Sequence, residues 1–96
     1  MAIRVKFRRM SPPDAKDHEH IERLKGNDES NNDRVVDEPR KWWYENVRDK
    51  KISAYVKDKA GNTAYLVDRV SSAGNGYVQT KRDDKLTDNL LELDKY

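Results

Sequence analysis

Two small groups of residues have types and spacings that could support catalysis. His18 and His20 stand two positions apart, and Glu22 follows at the same interval, so a strand would place all three on one face. Two imidazoles and a carboxylate can ligate zinc. The adjacent carboxylates Asp83 and Asp84 could divide general acid and base roles between them. A metal-dependent or hydrolase-like enzyme would have to rely on these residues.

Both groups lack features that such active sites need. The chain has two histidines and no cysteine, so it completes neither a His-Glu-x-x-His helix nor a cysteine–histidine ligand set. The carboxylate pair lies among Lys81, Arg82 and Lys85 in a polar turn, where solvent and mixed charge give no means of separating an acid from a base. The sequence therefore predicts a non-enzymatic protein without a metal or another cofactor.

Basic residues with aromatic neighbours form a third pattern. Arg4, Lys6 and Arg8 alternate along a predicted strand, and Tyr44, Tyr55 and Tyr77 could offer stacking surfaces. Basic stripes with aromatic residues are typical of proteins that bind single-stranded nucleic acid. The candidate nucleic-acid-binding residues are Arg4, Lys6, Arg8, Arg40, Lys41, Arg48, Lys57, Lys81 and Arg82.

Three consecutive aromatic residues are candidates for a contact with a protein partner. Trp42, Trp43 and Tyr44 occupy successive positions of a predicted helix, so their side chains cannot all point into the core. An exposed aromatic ring at the rim of a basic helix is a typical hot spot of protein interfaces. The alternative is that both tryptophan rings cover a small sheet.

Composition limits the size and setting of the protein. Its 96 residues suffice for one domain, 1–96, and its 40% charged against 34% hydrophobic residues imply a small core. The net charge of +2 is too small to indicate a disordered polyion. No apolar run reaches the roughly 18 residues of a membrane span, and no secretory leader is visible. We therefore expect a cytoplasmic protein without a membrane partner.

Hydrophobic periodicity predicts the elements that would position these residues. Ile3, Val5 and Phe7 alternate within a strand over 2–9. Pro39, Trp42, Trp43 and Val47 have helical spacing in a helix that begins near Asp37 and ends near Lys50. Strands over 52–58, 63–70 and 77–80, separated by Gly and Asn turns, form a three-stranded antiparallel meander. Residues 14–25 could hold either a helix from Asp14 or a short edge strand over 20–25, and 26–34 read as a mobile polar loop.

This order of elements predicts an α+β fold. It is a single two-layer domain in which one main helix packs on a small antiparallel sheet, built from the N-terminal strand and the C-terminal meander. The opposite face of the sheet remains in water. The apolar residues Leu86, Leu90, Leu91 and Leu93 are expected to pack onto the sheet, because a chain so poor in apolar side chains needs them in its core.

The C-terminal block resembles that of a known family. Thr80 and Asp83 are followed by Asp88-Asn89-Leu90-Leu91 and Leu93, which gives the pattern T-x-x-D-x4-D-N-L-L-x-L. This pattern, together with the pair His20-Ile21 and a helix before Tyr55-Val56, resembles small bacterial and phage-associated proteins described only as a domain of unknown function. Relatives often end in Pro and Cys, which this chain lacks. The resemblance implies a genuine domain that includes its C-terminal block, and it implies no activity.

Three functions follow in order of preference. The first is a small non-enzymatic binding or accessory module of bacterial or phage origin, whose most favoured partner is an unknown protein. The second is nucleic-acid binding through a basic strand and helix face, and the third is the hydrolase-like or metal-dependent enzyme. A monomer or a weak homodimer is expected, because exposed strand edges can pair.

Overall fold

The computed structural model describes residues 2–96, which contain one α-helix and an eight-stranded, mostly antiparallel sheet. The α+β prediction is thus confirmed in outline, although the sheet has more strands than predicted. Two short 3₁₀ helices, His18–His20 and Asn89–Glu92, complete the described part. The helix α1 spans Arg40–Arg48, and the strands are β1 (Ala2–Met10), β2 (Ile21–Asp28), β3 (Arg34–Pro39), β4 (Ser53–Lys57), β5 (Thr63–Val70), β6 (Gly76–Arg82), β7 (Lys85–Thr87) and β8 (Asp94–Lys95).

The N-terminal strand lies in the middle of the sheet. The strand order is β3-β2-β1-β4-β5-β6-β7, with β8 beside β1. Sequential strands pair as antiparallel hairpins, whereas β1 and β4 run parallel over three residue pairs. A parallel pair needs a long crossover connection, and the chain from β2 to α1 supplies it. The meander β4-β5-β6 was predicted correctly, because its turns are local features of the sequence.

The helix packs on one face of the sheet and covers the core. Pro39 is its N-cap residue, and its fixed φ suits the entry into the first turn. The Trp43 side chain is completely buried, and Trp42 and Val47 pack against the same cluster. The core comprises Ile3, Val5, Met10, Ile21, Leu24, Val36, Trp43, Ala54, Val56, Leu66, Val78 and Leu90. Leu90 is buried, and Leu91 and Leu93 pack against the core, as predicted, but the prediction is wrong for Leu86, which is 42% exposed on the edge strand β7.

The prediction of a polar loop over 26–34 is wrong at both ends. The strand β2 continues to Asp28 and β3 begins at Arg34, so the connection is a short turn between them. A Cβ atom at Gly26 would lie 2.2 Å from the main-chain oxygen of Arg4, so only glycine allows this approach of β2 to β1. The polar composition of this segment predicts a loop, although the ends of β2 and β3 pair here through backbone hydrogen bonds.

The turn after β2 depends on one buried carboxylate, which gives a first prediction. Asp28 is 2% exposed, and its Oδ1 accepts hydrogen bonds from the Ser30 amide at 3.1 Å and the Ser30 hydroxyl at 2.6 Å. These bonds lower the pKa of Asp28. We expect Asp28→Ala to reduce the free energy of unfolding by about 1–2 kcal/mol, because it removes a buried acceptor. Urea denaturation followed by circular dichroism would measure the change.

The neighbouring carboxylate provides the control for this turn. Glu29 is exposed, and its side chain makes no hydrogen bond within residues 2–96, so Glu29→Ala should change the free energy of unfolding by less than about 0.5 kcal/mol. Equal effects of the two substitutions would contradict the conclusion that the Asp28 carboxylate stabilises the turn by accepting hydrogen bonds from Ser30.

Candidate nucleic-acid interface

The nine predicted nucleic-acid-binding residues do not form one continuous face. Arg4, Lys57 and Lys81 lie on the sheet face opposite α1, which we call the open face. Arg40, Lys41 and Arg48 lie on α1, on the other side of the sheet. The cations are therefore divided by the sheet, and a single ligand cannot contact both groups in the way that a continuous stripe would allow.

A β-bulge overturns the predicted alternation of β1. Val5 pairs with Gly26 and Phe7 with Lys25, so Lys6 is an extra residue without a partner on β2. After the bulge, Phe7 lies on the open face instead of the core face, and Arg8 lies on the core side. There the Arg8 Nε donates to the Leu93 carbonyl at 2.9 Å. The sequence predicts that Arg4, Lys6 and Arg8 share one face of the strand. The bulge shows that this prediction is wrong.

A row of basic and aromatic side chains crosses the open face. The strand registers pair Arg4 with Tyr55, Tyr55 with Tyr65, and Tyr65 with Lys81, so these four residues follow one another on adjacent strands. The rings of Tyr55 and Tyr65 are 6.0 Å apart and inclined at 54°. Tyr65 is 54% exposed. The row thus contains one exposed ring, Tyr65, beside the half-buried ring of Tyr55, with a cation at each end.

A second aromatic and cationic group lies beside this row, on β1 and β2. The Phe7 ring contacts Tyr96 edge to face at 6.3 Å. The Lys25 Nζ lies 5.9 Å from the Phe7 ring centre and 5.5 Å from that of Tyr96, and the Arg9 guanidinium lies 4.7 Å from the Tyr96 ring. At these distances the positive charges of Lys25 and Arg9 are attracted to the π-electrons of the two rings, which stabilises the group.

One acidic side chain on the open face is already neutralised. Asp37 accepts a hydrogen bond at 2.6 Å from the Tyr96 hydroxyl and forms an ion pair with Arg23 at 3.0 Å. The Tyr96 hydroxyl, aided by Arg23, lowers the pKa of Asp37. Burial and the bond to Asp37 raise the pKa of Tyr96 to about 12, so its hydroxyl remains a donor at neutral pH.

The open face is consequently much more basic than the protein as a whole. In the strands around these rows, six basic residues stand against two acidic ones, Asp37 and the Asp94 that pairs with Phe7, whereas the complete chain has a net charge of +2. Acidic residues border the face at Asp84, which lies 3.9 Å from Lys81, and in the C-terminal segment. The open-face residues around these rows are Arg4, Phe7, Arg9, Arg23, Lys25, Asp37, Tyr55, Lys57, Thr63, Tyr65, Lys81 and Asp94.

A cleft opens where β1 and β4 separate. Their ladder ends at the pair Arg4–Tyr55, and β1 next pairs with β8 from Phe7 onward. The cavity between them has a volume of about 750 Å³. Val5 and Val56 contribute apolar lining, while Lys6, Lys57 and Lys59 supply cations. The cleft adjoins the Arg4–Tyr55 pair, and its lining also includes the carboxylates of Asp58, Glu92 and Asp94.

The cations of α1 are partly engaged by other groups of the protein. Arg48 forms an ion pair with Asp49 at 3.0 Å and lies 5.3 Å from the Tyr44 ring centre. The Arg40 guanidinium donates to the Glu19 carbonyl. At the other edge of the sheet, Arg82 lies 3.8 Å from Asp83. Because Lys41 is exposed but isolated from an aromatic row, the helix provides a poorer interface than the open face.

The predicted protein-contact residues are largely committed to the fold. Trp43 is completely buried and therefore inaccessible to a partner. Trp42 is half-buried, and its ring meets that of Trp43 edge to face at 5.0 Å. The Tyr44 ring covers Gly76, where an added Cβ would lie 2.5 Å from it. Both tryptophan rings pack against the core between the helix and the sheet, which agrees with the alternative expectation that they cover the sheet.

The residues considered for catalysis do not come together. His18 is half-buried near the Tyr77 ring, and burial lowers its pKa, whereas His20 faces Asp17 at 3.6 Å. Asp83 and Asp84 occupy a tight turn with side chains at least 90% exposed. Within residues 2–96, no three potential metal ligands of the histidine, cysteine, aspartate and glutamate types form a cluster. Nor does this part contain a helix of the length and apolarity that a membrane span requires.

Comparison of the chain with protein-family models, with curated proteins and with solved structures gave no match. The resemblance of the C-terminal block to a domain of unknown function therefore stays a prediction. The case for a function depends on the open face alone.

Proposed function

We propose that this protein binds single-stranded nucleic acid on its open face. The observation that carries the proposal is the row Arg4–Tyr55–Tyr65–Lys81, in which two adjacent rings stand between two cations. The protein remains a non-enzymatic binding module in this proposal, and nucleic acid takes the place of the unknown protein partner. A cytoplasmic location belongs to the same proposal.

The row matches the spacing of a strand of unpaired bases. Adjacent β-strands lie about 4.8 Å apart, so its four side chains span about 14 Å. Sheets that bind single-stranded RNA through surface aromatic residues stack about two or three bases on them. Bases would stack on Tyr55 and Tyr65, while Arg4, Lys57 and Lys81 would contact phosphates. Stacking is tolerant of sequence, because every base has a π-face.

The geometry favours a single strand over a duplex. Within residues 2–96 the one α-helix, α1, lies on the opposite side of the sheet, so it cannot enter a groove of B-form DNA from the open face. Its aromatic rings can contact base faces only where the bases are not already stacked in a helix. The cleft between β1 and β4 adds room for a chain that leaves the row.

Salt dependence tests the proposal directly. A fluorescein-labelled oligothymidine of about 12 nucleotides should bind with an affinity that falls as salt rises, since cations on the protein replace counterions. Contact with about four phosphates gives a slope near −3 in a plot of log K against log salt, at −0.7 per phosphate. Fluorescence anisotropy would measure this slope, and the matching duplex should bind more weakly.

Two matched lysine variants locate the interface. Lys57 and Lys41 are both exposed, the first on the open face and the second on α1. We expect Lys57→Gln to weaken binding and to reduce the salt slope by about one phosphate contact, whereas Lys41→Gln should change neither. The reverse result would place the ligand on the helix, and no binding by the wild-type protein at low salt would overturn the proposed function.

A further inference from the structure

Residues 93–96 lie along β1 at the edge of the open face. The Tyr96 amide donates to the Arg8 carbonyl at 3.1 Å, and the ladder between β8 and β1 contains only two residue pairs. The Arg9 Nε also donates to the main-chain oxygen of Tyr96 at 3.2 Å. A segment held by so few backbone bonds belongs to the parts of a fold that open at low free-energy cost.

The side chain of Tyr96 is held by the groups that a nucleobase would use. Its ring packs against Phe7, with the cations of Arg9 and Lys25 close to it. Its hydroxyl donates to the Asp37 carboxylate at 2.6 Å. A base presents the same combination, namely a flat π-face and an edge with N–H donors, and carboxylates accept hydrogen bonds from such amino groups.

We infer that Phe7, Lys25 and Asp37 form a base-binding subsite, which Tyr96 occupies until a nucleic-acid strand displaces it. The inference rests on the proposed function, since the subsite lies on the same open face as the row Arg4–Tyr55–Tyr65–Lys81. Lys25 pairs with both Phe7 and Asp37 across adjacent strands, so the three residues form a second row on the same face. The ligand class of the subsite is a nucleobase with an exocyclic amino or ring imino donor.

The charges of the C-terminal segment agree with displacement by a polyanion. Glu92 and Asp94 line the cleft between β1 and β4, opposite Lys6 and Lys57. A phosphate backbone entering the cleft would be attracted by the lysines and repelled by the two carboxylates, which favours movement of the C-terminal segment away from the cleft. Binding would therefore release residues 94–96, with loss of the bond from Lys95 Nζ to the Pro13 carbonyl, while Leu93 stays packed against the core.

Removal of the competitor should strengthen binding. If the segment covers the subsite in about nine molecules of ten, the apparent affinity is reduced about tenfold, because only the open fraction is competent. We expect Tyr96→Ala to bind a single-stranded oligocytidine about tenfold more tightly than wild type, and Phe7→Ala in the Tyr96→Ala background to lose that gain. Fluorescence anisotropy at fixed salt would measure all three proteins, and their melting temperatures would confirm folding.

A second measurement follows the segment itself. In amide proton–nitrogen NMR spectra of the wild-type protein, the Tyr96 amide should move toward the position of an unstructured residue as oligocytidine is added. The Leu90 amide, which lies in the buried part of the C-terminal block, should remain in its folded position.

The outcomes separate the two proposals. Equal or weaker binding by Tyr96→Ala, with binding by wild type intact, overturns the competing role of Tyr96 and leaves the proposed function standing. A Tyr96 amide that keeps its folded position in the saturated complex overturns it as well. Absence of binding by both proteins overturns the proposed function, and with it this inference.

Discussion

Replacement of Tyr55 and Tyr65 together by alanine should reduce the affinity for single-stranded nucleic acid by about a hundredfold. Stacking of a base on an aromatic side chain contributes about 1–3 kcal/mol, so two lost rings remove at least about 2 kcal/mol and commonly more. The rings are adjacent on β4 and β5. Tyr65 is 54% exposed, whereas Tyr55 is half-buried, so the effect of the Tyr55 substitution on stability must be measured separately. Fluorescence anisotropy with the labelled oligothymidine would measure the loss.

The matching phenylalanine variant distinguishes stacking from hydrogen bonding. Tyr55→Phe with Tyr65→Phe retains both π-faces and removes both hydroxyl groups, so its affinity should remain within about twofold of wild type. A loss as large as that of the alanine variant would contradict the stacking role. Melting temperatures of both variants are needed, because cross-strand aromatic pairs contribute about 0.2–1 kcal/mol to the stability of a sheet.

Local patterns in the sequence are sufficient to predict part of this fold. The meander follows from alternating apolar residues in β4 and β5 and from the Gly61-Asn62 turn, which pairs neighbours in sequence. The helix follows from Pro39 and the spacing of the tryptophans. In each case the residues that decide the structure are close together in the chain.

The missed elements depend on contacts between distant residues. In β2, Glu22 is skipped between the pairs Arg9–Arg23 and Met10–Ile21, which interrupts the alternation of apolar side chains. The parallel pairing of β1 with β4 joins residues about fifty positions apart and leaves no local signal. The segment that begins at Gly26 is polar and has no apolar alternation, so its sequence predicts a loop although it pairs with β1 and β3 through the backbone.

The sequence predicts which residue types the candidate site contains, but it does not predict how the fold arranges them. Arg4, Lys57 and Lys81 were named from their charge, and Tyr55 from its type, but nothing in the sequence placed them in one row. The bulge at Lys6 moved Phe7 from the predicted core to the open face, where it meets Lys25 and Tyr96. A one-residue shift of this kind reverses every later side chain of a strand, and it depends on the partner strand.

The second large effect is expected from the core, at Trp43. Its ring is completely buried, and its Nε1 donates to the carbonyls of Leu24 at 3.2 Å and Glu38 at 3.0 Å. The side chain thereby fixes α1 to β2 and to the end of β3. Trp43→Ala should lower the free energy of unfolding by about 3–5 kcal/mol. It leaves a large cavity, and it removes the N–H group that donates to both carbonyls.

Such a loss is comparable to the whole stability of many small domains, which is about 5–15 kcal/mol. Urea denaturation followed by circular dichroism would measure it against Trp42→Ala, the adjacent, half-buried tryptophan, for which we expect less than about half of the effect. Trp43→Phe should lie between them, because it retains much of the packing but donates to neither carbonyl. If Trp42→Ala proved the more damaging change, the half-buried ring of Trp42 and not the buried ring of Trp43 would fix α1 to the sheet.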